Sequence, residues 1–109
     1  MATVTFTGES GKKYEFEIYD INTEWNDNIS AIYIVTKRQK KDDGGYSHNR
    51  IYIGRTKDLK ERHGNHHQQN CFDKHNANRI CIYQEKNEQK LIDIETDLIQ
   101  GNTTKCNET

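Results

Sequence analysis

Ile29-Ser30-Ala31-Ile32-Tyr33-Ile34-Val35-Thr36 and Arg50-Ile51-Tyr52-Ile53-Gly54 are the two stretches on which the fold turns. Both are short, rich in β-branched and aromatic residues and bounded by polar sequence. They predict a pair of strands, the first central and the second returning beside it. Between them, Lys37 to Asn49 lacks apolar periodicity and contains Asp42-Asp43-Gly44-Gly45, which predicts a long, mobile hairpin loop. Upstream, Val4-Thr5-Phe6 and Tyr14-Glu15-Phe16-Glu17-Ile18 alternate with period two around Gly8-Glu9-Ser10-Gly11 and predict an N-terminal hairpin. Asp20 to Asn28 reads as a connection anchored by Trp25. Downstream, Thr56 is placed to cap a helix from Lys57 to about Gln69, with Gly64 its weak point. Cys71 to Asn78 fits neither helix nor strand clearly, and Arg79-Ile80-Cys81-Ile82-Tyr83 predicts another strand. Asn87 caps a final helix, Glu88 to Gln100, with Leu91, Ile94, Leu98 and Ile99 along one face and Gly101 as its stop. The order ββ-β-β-α-β-α is that of an α+β fold, a small central sheet flanked by helices, with an extra N-terminal hairpin.

At 109 residues the chain supports one compact domain, in which residues 1–28 form the hairpin extension and connection and residues 29–109 the main body. Hydrophobic content of 31% against 30% charged residues implies a small core, but the clustering of apolar residues into alternating runs argues for folding over disorder. The apolar runs are too short to span a membrane, and the N-terminus lacks a secretory signal pattern. Cys71, Cys81 and Cys106 are odd in number and lack scaffold spacing, which fits reduced thiols in a cytoplasmic protein. A net charge of −1 argues against non-specific coating of nucleic acid. Locally, however, Lys37, Arg38, Lys40 and Lys41 form one basic block, and Arg50, Arg55, Lys57, Lys60 and Arg62 another. The ordinary meaning of such blocks is a solvated face.

Tyr33 and Tyr52 fall one on each arm of the central pair, Arg62 ten residues beyond Tyr52, and His66 four beyond Arg62. With Glu95 and Asn107 further on, this pattern resembles the GIY-YIG nuclease superfamily over roughly Ala31 to Asn107. Tyr33 matches the tyrosine of the first motif, and Tyr52-Ile53-Gly54 matches the second motif completely. Arg62 matches the helical arginine, Glu95 the metal-binding glutamate and Asn107 the terminal asparagine, while Arg55 stands where the family is often basic. His66 and His75 fall where some homing-type members carry histidines. Ala31 replaces the glycine of the first motif, and the interval between the motifs is long.

The resemblance implies a metal-dependent endonuclease acting on nucleic acid, with DNA the first expectation, and a single Mg²⁺ or Mn²⁺ held by Glu95. Products with a 5′-phosphate and a 3′-hydroxyl are implied. A double-strand break would then require a homodimer or sequential events, and a partner protein could direct substrate choice. Arg62 would grip the phosphate through its planar fork. Tyr33 is implied as general base, with a pKa lowered by nearby positive charge such as the metal-bound water or Arg62, with Tyr52 orienting the water or phosphate, His66 sharing the proton transfer and Asn107 as a brace. The substrate contacts expected are Lys37, Arg38, Lys40 and Lys41 on the long loop, with Arg55 and His75. His66, His67, Cys71 and His75 also offer a donor set for Zn²⁺, although adjacent histidines usually point apart. His48 and His63 read as surface residues. Against the enzyme stand two other readings. One is an inactive nucleic-acid-binding module of the same fold, and the other is a protein-interaction module that uses the edge of the N-terminal hairpin.

Overall fold

Period-two alternation carries five segments into a single antiparallel sheet. The computed structural model describes residues 2–26, 28–64 and 68–107, with the side chains of residues 63 and 64 left out. Strands β1 (Thr3–Thr7), β2 (Lys13–Asp20), β3 (Ala31–Lys40), β4 (Tyr46–Thr56) and β5 (Arg79–Gln84) lie in the order β1-β2-β5-β3-β4. Helices α1 (Leu59–Gly64) and α2 (Gln69–Lys74) intervene between β4 and β5, and α3 (Glu88–Gly101) closes the chain. The α+β expectation holds, with β3 the central strand paired to β4 on one side and β5 on the other.

Because side chains alternate across a strand, the sheet sorts its apolar residues into two layers. Phe6, Phe16, Ile32, Ile34, Ile53 and Cys81 face α3 and pack on Leu91, Ile94 and Leu98. Tyr33, Val35, Ile51, Ile80 and Ile82 face the other way, toward Leu59 of α1 and Phe72 of α2. The N-terminal hairpin shares the α3 layer, since β2 pairs with β5 and extends the same sheet.

Three local expectations are corrected. The long mobile loop is in fact mostly strand: β3 runs on to Lys40 and β4 begins at Tyr46, with Lys37 opposite Asn49 and Lys40 opposite Tyr46. Polar residues extend the hairpin because backbone pairing, rather than apolar alternation, carries it beyond a bulge at Val35/Thr36. The helix expected from Lys57 starts instead at Leu59 as α1, with the Asp58 carboxylate accepting from the Glu61 amide and Thr56 ending β4, and a separate element, α2, occupies Gln69–Lys74 across the start of the stretch that fitted neither helix nor strand. Third, Gly101 is no left-handed stop. It lies within α3, where a side chain would run into the backbone of Gly8 and Glu9. Asn87 caps α3 as expected, its side chain accepting from the Lys90 amide at 3.0 Å.

The same apposition makes Asp97 the lock between α3 and the hairpin turn. Its carboxylate accepts from the Ser10 amide at 2.9 Å, the Ser10 hydroxyl at 2.8 Å and the Tyr14 hydroxyl at 2.9 Å. His48, expected at the surface, is half-buried, with Nδ1 3.0 Å from the Thr36 hydroxyl and its ring beside Phe6. Burial and the neighbouring Arg38, Arg50 and Arg79 push its pKa down.

Candidate active site

Gly54 explains why two tyrosines from different strands can meet. It lies directly across from Tyr33 in the β3–β4 register. A Cβ at Gly54 would stand 2.6 Å from the Tyr33 hydroxyl oxygen and 2.7 Å from the Tyr52 ring. The missing side chain lets the Tyr33 ring lie over β4 and reach the sheet edge, with its centroid 5.9 Å from that of Tyr52. This is the close approach that glycine permits and alanine would obstruct. Tyr33 is 3% exposed, and Tyr52 leans in turn on Phe72 of α2, 5.6 Å away.

Arg62 enters from α1, and with Tyr33, Leu59, Gln69, Phe72 and Ile80 it lines a small cavity on this face. Its side chain is exposed and pairs with no carboxylate among the described residues. Glu95 comes from α3, with its side chain only 16% exposed, and pairs with Arg55 of β4 at 2.7 Å. Both Arg62 and Glu95 are close enough to act on Tyr33 electrostatically, in opposite directions.

Asn107 braces the sheet edge. Its side-chain oxygen accepts from the Ile53 amide at 2.8 Å and its side-chain nitrogen donates to the Ile53 carbonyl at 2.9 Å, while the Cys106 amide donates to the Ile51 carbonyl at 2.8 Å. The terminal segment thus satisfies the outward backbone groups of β4 on either side of Tyr52, groups that an edge strand would otherwise leave to water.

The protein's own side chains shift the Tyr33 pKa upward: burial raises it first, Tyr52 raises it further by charge and by accepting its hydrogen bond, and Arg62 lowers it without compensating. The lowering that a general base requires is therefore left to a bound cation. Tyr33, Tyr52, Arg62, Glu95, Arg55 and Asn107 do gather around β4. The basic block does not: alternation along β3 puts Arg38 on the α3 side of the sheet, where it stacks on Tyr46 at 4.3 Å, and Lys37 on the other. Lys37 is four residues along the strand from Tyr33, about 13 Å. His75 sits at the C-terminus of α2 beside Cys71 and Cys106 and not on the Tyr33 cavity. His66 and His67 lie outside the described residues, so their expected roles find no placement here.

Sequence reasoning missed Gln69 and Phe72 as walls of the site, because α2 has too little periodicity to announce itself. It also missed the disulfide between Cys71 and Cys106, which corrects the reading of these two as reduced thiols. Cys81 alone is a free, buried thiol.

A divalent cation finds a suitable hard donor in Glu95, since Mg²⁺ commonly takes one or two carboxylates and fills its shell with water and phosphate oxygens. Among the described residues Glu95 belongs to no cluster of three or more donors, so a cation there would depend on solvent and substrate for the rest of its shell. No curated protein and no solved structure matches the chain. One family model does, that of the GIY-YIG catalytic domain, over residues 29–107. That span takes in both tyrosine strands, the arginine helix, the glutamate helix and the bracing asparagine, and the chain belongs to the GIY-YIG catalytic domain family.

Proposed function

We propose that this protein is a metal-dependent endonuclease that hydrolyses phosphodiester bonds of nucleic acid, DNA foremost, with Mg²⁺ or Mn²⁺ at Glu95. The observation that carries the reading is the meeting of Tyr33 and Tyr52 over Gly54, with Arg62 on the same cavity and Glu95 close enough to act on Tyr33, four side chains from four different elements. When bound, the cation supplies positive charge to the phosphate and acidifies water.

The remaining work falls to side chains. Arg62, exposed at the mouth of the cavity, neutralises a non-bridging phosphate oxygen by charge-assisted hydrogen bonds. Tyr33 and Tyr52 act as one hydroxyl pair that positions the attacking water, and with a cation bound at Glu95 to offset the burial of Tyr33, its phenolate would take the water's proton. Arg55 fixes the orientation of the Glu95 carboxylate. Asn107 keeps β4 straight between Tyr52 and Gly54, so that the pair stays aligned.

The test is nicking of supercoiled plasmid and of branched DNA with Mg²⁺ or Mn²⁺ varied. Glu95→Ala and Arg62→Ala should each cost at least about 100-fold in rate while the fold persists. The second reading, a binding module without catalysis, draws on the net charge of −1 and on the neutralisation of Arg55 by Glu95. Folded wild-type protein that cuts no linear, nicked or branched DNA and no RNA with either metal would establish it in place of the first.

A further inference from the structure

Cys71, His75 and Cys106 bring their donor atoms within 4.8 Å of one another, on the face of the molecule that carries the candidate active site. Cys71 and His75 are four residues apart on and at the end of α2, so both project from one side of the helix. Cys106 arrives from the terminal segment, immediately before Asn107. A disulfide needs two partners and no third. An imidazole within reach of both sulfurs is what a thiolate–histidine metal site requires, and the mixed sulfur and nitrogen donors select a borderline-soft ion over Mg²⁺. Cys106 is buried whereas Cys71 and His75 are half-buried, so the cluster is closed on one side and open on the other.

The geometry points to a Zn²⁺ site formed by Cys71, His75 and Cys106 in the reduced protein, with water as the fourth ligand unless another side chain supplies it. The disulfide is its oxidised, metal-free alternative. The steps balance. A dithiol reductant transfers two electrons and two protons to the disulfide, giving two protein thiols and a cyclic disulfide of the reductant. Zn²⁺ then displaces the proton of each thiol, and two protons leave to solvent. In either form the cross-link ties α2 to the segment that holds Asn107 on Ile53. A six-residue helix has little stability of its own, which gives the tie a purpose. This site is separate from Glu95 and does not depend on the nuclease reading.

The experiment is titration of the full chain, reduced with a phosphine and kept anaerobic, with Co²⁺ and then Zn²⁺, with circular dichroism following the fold. One Co²⁺ per chain should bind with a thiolate-to-cobalt charge-transfer band and the visible bands of tetrahedral cobalt, and one Zn²⁺ should displace it. Cys71→Ser and Cys106→Ser should abolish the two-thiolate spectrum, and His75→Ala should weaken binding by about 10-fold or more. Cys81→Ser should leave spectrum and affinity unchanged, and the oxidised wild type should bind no cobalt through sulfur. If reduction alone unfolds the chain, Zn²⁺ should restore the fold. The proposal is overturned by a reduced, folded wild type without the charge-transfer band, by a band that survives Cys106→Ser, or by a reduced, unfolded chain that Zn²⁺ does not rescue.

Discussion

The two faces of the sheet are built from the same strands but held together in different ways. The α3 face rests on a 14-residue helix with a designed start at Asn87, a stripe of Leu91, Ile94 and Leu98, and the Asp97 lock on the hairpin turn. The opposite face is covered by two helices of six residues each, with Leu59 and Phe72 as their buried anchors. It compensates with cross-links: the pairing of Asn107 with Ile53 and the bond between Cys71 and Cys106. Closing a loop across a sequence separation of 35 is worth roughly 3–4 kcal/mol in the chain-entropy account. The long helix thus braces one face, and the polar groups suited to chemistry open onto the face covered by short helices. Glu95 is the exception that joins the faces, since it reaches the β4 edge from α3.

The largest effect that would sharpen this contrast is Leu98→Ala. Leu98 is fully buried in the α3 layer, and its truncation should cost about 3–5 kcal/mol in urea unfolding. A loss below about 1 kcal/mol would break the claim that this face carries the fold. Gly54→Ala comes next. Its methyl group meets the Tyr33 hydroxyl and the Tyr52 ring, so stability should fall by roughly 1–3 kcal/mol and nicking should fall further than stability explains. Nicking at the wild-type rate would show that the two tyrosines need no such close approach.

Asn107→Ala removes both partners of the Ile53 backbone. Water can replace them at an edge, so about 1–2 kcal/mol is expected, with the loss appearing as faster amide exchange at Ile53 and not at Leu91. Equal acceleration at both would mean that the two faces unfold as one.

The smallest effect is a pH dependence of the lock on the α3 face. Burial and its bond to Asp97 raise the Tyr14 pKa from 10.0 to about 12. Its contribution to stability is complete below pH 10 and is lost as pH rises toward 12. The Asp97 carboxyl is held down, chiefly by the Ser10 amide and hydroxyl, so its contribution is present above the ordinary carboxylate range and lost as pH falls through it. The difference in urea midpoint between wild type and Tyr14→Phe should therefore be steady at neutral pH and shrink between pH 10 and 12. A constant difference across that window would show that the Tyr14 proton does not matter to the lock.

Residue order alone determined the strands around the sheet and the last helix with its Asn87 cap, while Tyr33, Tyr52, Arg62, Glu95 and Asn107 were singled out by resemblance to the GIY-YIG family. The strands and the capped helix are legible because alternation, helical periodicity and side-chain capping are local, set by residues within a few positions of each other. Tertiary structure decided what depends on distant partners. The run from Lys37 to Asn49 looks like a loop until its backbone pairs across the hairpin, and its lysines and arginine then separate onto two faces. Tyr33 reads from sequence as a phenol beside positive charge, yet burial among its neighbours raises its pKa. Cys71 and Cys106 look like unrelated thiols until the terminal segment folds back along β4. In each case the deciding interaction is one that side-chain periodicity does not record: backbone pairing, burial, or a cross-link that forms only once the sheet brings its partners together.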